Sequence, residues 1–224
     1  MNDATLLRDK LHTKRFQFSS LKYPFKKILT DLLGTELEDL HKYLGYGLTS
    51  HKDSKSLQST LAHRVFYSNF EEKLGSIYKE FLNEVVLKIV NSPFYYQKIP
   101  TFRIAPPGSI FVSKFHRDSD FNHQSYELNF NLGLANYKGG NFMIEDKPSS
   151  ENYIHLDCPY GEIISIDHIS CTHGSLLNKT EQTMVSFDFR IALMKNYYES
   201  ELSSLTNKTQ FSLGKYFSSQ PIYL

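Results

Sequence analysis

The sequence contains no tryptophan and only two cysteines among its 224 residues, Cys158 and Cys171. Two cysteines are too few for a disulfide framework, and neither belongs to a Cys-X-X-Cys motif or a cysteine-rich segment. A small secreted domain held together by disulfides is therefore excluded. We expect a reducing, cytoplasmic setting.

The sequence also lacks an excess of charge and long hydrophobic runs. Lys and Arg number 25 against 24 Asp and Glu, so the formal net charge is +1 and no global field attracts nucleic acid or anionic membrane. No stretch approaches the ~18 apolar residues of a membrane helix, and the N-terminal segment has no apolar signal-like core. We expect a cytoplasmic protein with no nucleic-acid or membrane partner, and its oligomeric state stays open, a homodimer included.

The composition is that of an ordinary globular protein, with 40% hydrophobic and 22% charged residues. The length is compatible with one domain over residues 1–224. Because the local pattern changes near Pro93, we divide this domain into a mainly helical support (1–93), a core of strands (94–195) and a C-terminal tail (196–224) whose role is open.

The first segment has helical periodicity. Between Phe25 and Leu44 apolar residues recur at spacings of three and four, which predicts an amphipathic helix that Gly34 can divide. The same pattern predicts a second helix from about Ser68 to Val90.

After Pro93 the apolar period shortens towards two, and aromatic and β-branched residues become frequent. Turns are predicted at Gly139-Gly140 and at Asn178-Lys179-Thr180. Helices followed by antiparallel strands predict an α+β fold in which the helices buttress a two-sheet sandwich or jelly roll. The predicted strands are Thr101 to Ala105, Phe111 to Phe115, Tyr126 to Leu134, Asn141 to Glu145, Glu162 to Ile166 and Thr183 to Leu193.

Two of these strands alternate strictly, so their side chains divide between two faces. One face of each strand is apolar, and the N-terminal helices are the available cover for it. The other face is polar: it carries Glu127, Asn129 and Asn131 in one strand and Ser186, Asp188 and Arg190 in the other. If these faces line the interior of a sandwich, their charged groups need partners or a ligand.

A potential metal site follows the predicted strand that ends at Phe115. His116 and Asp118 are two positions apart, and on an extended chain both side chains reach one ion. Alone, a His-X-Asp pair is a weak signal, and a solvated turn is its default interpretation. His173, 55 positions after Asp118 (173 − 118), ends another predicted strand and offers a third ligand. Two histidines and a carboxylate are the donor set of a facial triad for Fe(II), which leaves positions open for a cosubstrate and O₂.

Arg190 lies on the polar face 17 positions after His173 (190 − 173). Its guanidinium fork matches a carboxylate such as the distal group of 2-oxoglutarate. The alternative is a structural ion pair with Asp188 or Glu127. We favour the cosubstrate, since a buried arginine–acid pair is weak evidence for stability alone.

Together, the segments 115–123, 127–130, 173–180 and 185–190 resemble the Fe(II)/2-oxoglutarate-dependent oxygenase superfamily, and within it the StrG-like branch. The resemblance covers about residues 101–193. It implies a double-stranded β-helix, Fe(II) held by His116, Asp118 and His173 as the catalytic centre, and 2-oxoglutarate as cosubstrate with Arg190 as its anchor. It also implies O₂-dependent hydroxylation of a C–H bond in a small polar metabolite such as a sugar, a sugar-nucleotide or an amino acid.

Many such enzymes have a basic residue sooner after the second histidine, where this chain has Met184.

We assign Asn129 and Ser186, with Arg190, to cosubstrate binding, although Asn129 could equally hydrogen-bond near Glu127. Arg103 either reaches the pocket to meet an anionic substrate group or lies on the surface. Several other residues have a structural interpretation that we prefer: Cys171 as a small buried thiol, and His123 and His168 as hydrogen-bonded histidines.

Three competing interpretations of the sequence make different demands on the site. His-Arg-Asp occurs in kinase catalytic loops, but Asn122 is one position short and no glycine-rich loop is present, so this is dismissed. A cupin-like metal-dependent isomerase or hydrolase would use the same triad but would not need Arg190 inside. A non-enzymatic ligand-binding jelly roll would hold no iron and consume no 2-oxoglutarate.

Overall fold

The computed structural model describes residues 3–43, 60–110, 115–135, 142–205 and 208–223. Helices form most of the N-terminal part. No helix in these ranges is long and apolar enough to cross a membrane. The helices are α1 (Asp3–Leu11), α2 (Phe25–Leu33), α3 (Leu40–Tyr43), α4 (Leu61–Phe70), α5 (Ser76–Phe81) and α6 (Leu87–Val90), with a 3₁₀ turn at Leu37–Asp39 and π segments at Glu71–Gly75 and Leu82–Val86.

Both helix predictions hold, with different boundaries. Gly34 ends α2 in the left-handed region, with φ of 72°, and its amide donates to the carbonyl of Thr30. The second predicted helix corresponds to the unbroken run from α4 to α6. It begins earlier than Ser68, because the Thr60 hydroxyl accepts a hydrogen bond from the backbone N–H of His63 and caps the first turn.

The strands form two antiparallel sheets. The larger sheet has the order β1-β7-β4-β9-β2, and β3 also pairs with β9; the smaller sheet has the order β6-β5-β8. Helices with antiparallel sheets confirm the α+β prediction. The strands are β1 (Arg15–Gln17), β2 (Phe94–Tyr96), β3 (Thr101–Ala105), β4 (Glu127–Gly133), β5 (Phe142–Glu145), β6 (Tyr153–Leu156), β7 (Glu162–Ile166), β8 (His173–Ser175) and β9 (Met184–Leu193).

Five predicted strands match β3, β4, β5, β7 and β9 to within one residue at either end. Residues 111–114 of the remaining predicted strand, and the predicted Gly139-Gly140 turn, lie outside the described residues. The expectation that His173 ends a strand is wrong. Strand β7 ends at Ile166, the chain turns, and His173 begins β8.

The alternation predicted for β4 and β9 is the central packing feature. Their apolar faces share one buried cluster with the helices, and Phe187 of β9 has its ring centroid 5.8 Å from Phe25 of α2 and 5.5 Å from Phe66 of α4. The polar faces of the same strands point into a cavity between the sheets. The helices thus cover the apolar faces of β4 and β9, as predicted from the sequence.

The C-terminal tail packs against the larger sheet. Phe211, Phe217 and Ile222 are buried in the same cluster as the helices. Ile222 exchanges backbone hydrogen bonds with Phe94 of β2, and so the tail closes this edge of the sheet.

Replacing Phe187 tests this packing. Phe187→Ala removes a ring that is 1% exposed, and we expect it to lower the free energy of unfolding by about 3–5 kcal/mol, through lost burial and the cavity left behind. Urea unfolding measures the change. Leu21→Ala is the control, because Leu21 is 93% exposed and its truncation should change stability by no more than about 0.5 kcal/mol. Equal losses in both variants would contradict this view of the core.

His63 predicts a pH dependence of stability. Burial lowers its pKa from 6.5 to about 4, although its Nε2–H donates to the carbonyl of Phe102 at 3.1 Å. Between these two values the unfolded chain binds a proton that the folded chain does not, so stability rises with pH from about 4 to 6.5. We expect His63→Gln to flatten the dependence of the unfolding free energy on pH between 5 and 6.5. Unfolding experiments at a series of pH values measure this dependence. A slope of unfolding free energy against pH that is unchanged in the variant would contradict a neutral, buried His63. His155→Gln is the control, because His155 is exposed.

Candidate metal centre

His116 and His173 are placed side by side by the backbone. The amide of each donates to the carbonyl of the other at 2.9 Å, in an antiparallel bridge at the start of β8. Their ring centroids are consequently 4.6 Å apart. Asp118 begins a 3₁₀ turn just after this bridge, and its N–H donates to the carbonyl of His168 at 2.8 Å.

The three side chains converge on one point. Asp118 Oδ1 lies 3.3 Å from His116 Nε2 and 3.5 Å from His173 Nε2, and one ligand atom from each residue lies within 4.8 Å of the others. Two ligand atoms about 2.1 Å from a metal and at right angles to each other are ~3 Å apart. The distances and the His, His, Asp donor set fit a divalent metal with open positions.

Asp118 is held in its charged form. Burial works against ionisation of a carboxyl that is only 4% exposed, but the charge of Arg190, together with His123 and hydrogen bonds from His116 and His173, holds its pKa well below the usual range. A permanently ionised carboxylate is the form that binds a metal ion.

Arg190 lies among three buried carboxylates. Its Nη2 donates to Asp118 Oδ2 at 2.5 Å, its Nη1 lies 3.4 Å from Asp188 Oδ1, and its Nε lies 3.9 Å from Glu127 Oε2. The ion pairs with Asp188 and Glu127, which were the structural alternative for Arg190, are therefore present. A third ion pair, with Asp118, was not predicted from the sequence. Cosubstrate anchoring by Arg190 stays a prediction.

Glu127 forms the base of this network. Its carboxylate accepts a hydrogen bond from the amide of Gln124 and contacts His123 Nδ1, both at 2.7 Å, while His168 Nε2 is 3.8 Å away. Burial opposes ionisation of Glu127, but the two histidines outweigh it and lower its pKa to about 2. His123 thus has the hydrogen-bonded role expected of it. His168 does not, because within the described residues neither of its buried ring nitrogens has a hydrogen-bond partner.

The three candidate metal ligands help to line a cavity between the sheets. Asn129 and Ser186 line it as predicted, and the Nδ2 of Asn129 donates to Asp188 Oδ1 at 2.6 Å. Polar and apolar side chains occupy different parts of its wall. The polar part comprises Arg103, Asn129, Asn131, Ser186, Asp188 and Arg190, and the apolar part comprises Phe142, Leu156, Cys158, Ile164 and Ile166.

The structure also decides between the two positions considered for Arg103 and agrees with the buried thiol expected at Cys171. Arg103 reaches the cavity from β3, where its Nη2 donates to Asp188 Oδ2 at 3.0 Å. Cys171 is fully buried outside the lining of the cavity. The lining cysteine is Cys158, whose pKa burial raises to about 12, so that it presents a neutral thiol.

Sequence reasoning gave no site role to Asn131, Asp188 or Cys158. For Asn131 and Asp188 the signal was present, because both share the alternating polar faces that carry Asn129 and Arg190. Cys158 lies between strands, and no local pattern indicates which way its side chain points.

Among characterised proteins, the chain is similar to the streptomycin biosynthesis protein StrG of Streptomyces griseus. The two are 29% identical over 204 residues, which is 91% of this chain and 96% of StrG. The resemblance to StrG-like proteins is therefore confirmed, and it extends well beyond residues 101–193. No protein-family model matches the chain.

Three solved structures are also similar to this one. The SnoK carbocyclase of nogalamycin biosynthesis, described as non-haem and α-ketoglutarate-dependent, is 9% identical, with a TM-score of 0.48 over 86% of this chain and 83% of SnoK. AviO1 of Streptomyces viridochromogenes is 12% identical, with a TM-score of 0.47 over 88% of this chain and 97% of AviO1. HygX of Streptomyces hygroscopicus, solved with nickel and 2-oxoglutarate bound, is 11% identical, with a TM-score of 0.46 over 92% of this chain and 93% of HygX.

The convergence of the three ligands predicts one divalent metal per chain. We expect calorimetric titration with Co(II) to show a single site, and His116→Ala or His173→Ala to weaken it by at least about 100-fold, because even partners outside the ligand set change metal affinity by 10–100-fold. His155→Ala is the matched control, since that histidine is exposed on β6. Retention of wild-type affinity by both ligand variants would exclude this metal centre.

Proposed function

We propose that the protein is a non-haem Fe(II)/2-oxoglutarate-dependent oxygenase, with His116, Asp118 and His173 as its catalytic iron ligands. One observation carries the proposal: a two-histidine, one-carboxylate cluster lines a cavity whose wall also presents two arginines. A metal with open positions and a nearby cation for a dicarboxylate are what this chemistry requires.

We further propose that the two sheets form a double-stranded β-helix in a single domain. The order β7-β4-β9-β3 in one sheet and β6-β5-β8 in the other supports this topology, since after β4 the chain crosses to the smaller sheet for β5 and β6, returns for β7, crosses again for β8 and returns for β9. Both sheets line the same cavity, with Ile164 from the larger and Phe142 from the smaller. The helices and the tail share one core with the larger sheet, which supports a single domain.

In this proposal the protein positions groups while the cofactors supply the reactivity. Bound Fe(II) and 2-oxoglutarate together would activate O₂ to oxidise an unactivated C–H bond. Arg190 holds Asp118 Oδ2, which leaves Oδ1 directed at the histidines and fixes the carboxylate as a one-oxygen ligand. Asn129 and Ser186 present polar groups to the cosubstrate. The apolar wall excludes water from the space beside the metal, and Cys158 adds no charge to it.

For the substrate we propose a small polar metabolite, a sugar or sugar-nucleotide before an amino acid, and hydroxylation as the outcome. The support is the similarity to StrG, a protein of streptomycin biosynthesis, over nearly the full length of both chains. Release of succinate, measured with a panel of sugars and amino acids, identifies the compounds that stimulate turnover.

Anaerobic reconstitution tests the oxygenase proposal. We expect Fe(II) and 2-oxoglutarate together to give wild-type protein a weak visible charge-transfer absorption, because the cosubstrate chelates the metal. His116→Ala should abolish the absorption, and His155→Ala should retain it. Metal binding without the absorption, and without 2-oxoglutarate binding by calorimetry, would refute the proposal and favour a metal-dependent isomerase or hydrolase. Absence of any metal binding would favour a ligand-binding jelly roll.

A further inference from the structure

The cavity contains two arginines that differ in their contacts. Arg190 is 6% exposed and lies against three carboxylates, including that of the proposed metal ligand Asp118. Arg103 is 19% exposed, and in the described part of the chain its guanidinium is paired with Asp188 alone. A guanidinium has five N–H groups in a fixed fork, and the contact with Asp188 uses only Nη2 of Arg103, so the rest of this more exposed fork is left for a ligand. Among the described residues Arg190 also has a donor without a hydrogen-bond partner, Nε, but that atom is buried beside Glu127.

The two arginines also differ in their distance from the metal ligands. Arg190 touches Asp118 directly, whereas Arg103 is reached through Asp188, whose Oδ1 faces Arg190 at 3.4 Å and whose Oδ2 faces Arg103 at 3.0 Å. The carboxylates of 2-oxoglutarate are separated by four carbon–carbon bonds of about 1.5 Å each. A dicarboxylate that chelates the metal by one end must therefore meet its second cation beyond the ligand residues, where Arg103 lies.

Strand pairing leaves room for a ligand at Arg103. Its direct partner across the sheet is Ser186 of β9, a small residue that also lines the cavity. On the same face of β9, Arg190 is four positions further along, or about 13 Å at the rise of a strand. The position opposite Arg103 thus carries only a small side chain and is well separated from the arginine that binds Asp118.

Arg103 can exchange its contact with Asp188 for a contact with a ligand at a small cost in free energy. Asp188 Oδ1 also accepts a hydrogen bond from Asn129 at 2.6 Å and faces Arg190, so the charge of Asp188 stays compensated if Arg103 turns to a ligand. Arg190 is less free to turn to a ligand, because its guanidinium is buried and contacts Asp118 and Glu127 as well as Asp188.

We infer that Arg103 binds the distal carboxylate of the cosubstrate, while Arg190 is a positioning residue that holds Asp118. This inference rests on the proposed function and changes the anchor assignment made from the sequence. Asp188 lies between the two arginines and contacts each through a different oxygen, so that each arginine can have a separate role.

The test compares two keto acids of equal chain length, 2-oxoglutarate and 2-oxopentanoate, which lacks the distal carboxylate. Calorimetry on the Fe(II)-loaded protein without oxygen measures both affinities. We expect Arg103→Gln to weaken 2-oxoglutarate at least about 10-fold, from the loss of a charge-assisted bidentate contact, and to leave 2-oxopentanoate unchanged. Arg103→Lys keeps the charge without the fork and should lose less. Arg190→Lys should weaken metal binding, and with it both keto acids alike.

Arg15→Gln is the matched control, because Arg15 lies on β1 at the edge of the larger sheet and pairs with Glu162 at 3.1 Å. Thermal unfolding shows that each variant is folded. The inference is overturned if Arg103→Gln weakens neither keto acid, if it weakens both equally, or if Arg190→Lys selectively weakens 2-oxoglutarate. Failure of wild-type, metal-loaded protein to bind either keto acid would instead refute the proposed function.

Discussion

The buried ion-pair network around Arg190 is the interaction on which the site depends. Three carboxylates approach this guanidinium, and a buried carboxylate is tolerated only when it is paired and hydrogen-bonded. Glu127 lies on β4, Asp188 and Arg190 lie on β9, and Asp118 belongs to the turn that follows His116. The network therefore fixes the turn that carries the proposed metal ligand Asp118 against the two central strands. It also keeps Asp118 charged, so that the proposed metal site and the packing of the sheet depend on the same contacts.

The second constraint is that β4 and β9 are buried on both faces. Every residue of β9 is buried, yet from Val185 to Ile191 apolar and polar residues alternate. The apolar set packs on the helices with rings such as Phe187, and the polar set lines the cavity. A shift of one residue in register would exchange these faces and put charged groups against the helices. The aromatic packing on one side of the sheet thus also determines the position of the site on the other side.

Part of this arrangement could be predicted from the sequence. The period of two in β4 and β9 gave the correct face for Asn129, Ser186 and Arg190, and the spacing of His116 and Asp118 indicated a shared side. The strands that the sequence did not predict, β1, β2, β6 and β8, are three or four residues long, and over so few positions an alternating pattern is seldom distinct. For the same reason His173, predicted as a ligand, was assigned to the end of a strand, whereas it begins one.

The sequence by itself determined which types of donor are present and which side chains share a face of a strand, because both follow from residue chemistry and from the local geometry of an extended chain. Only the tertiary structure decided how the two arginines are used. Arg190 and Asp118 are 72 positions apart, and Arg103 and Asp188 are 85 positions apart. Their contacts depend on the register of β9 against β3 and β4 and on the bridge between His116 and His173. These are long-range pairings between distant segments, and no local pattern in the chain encodes them.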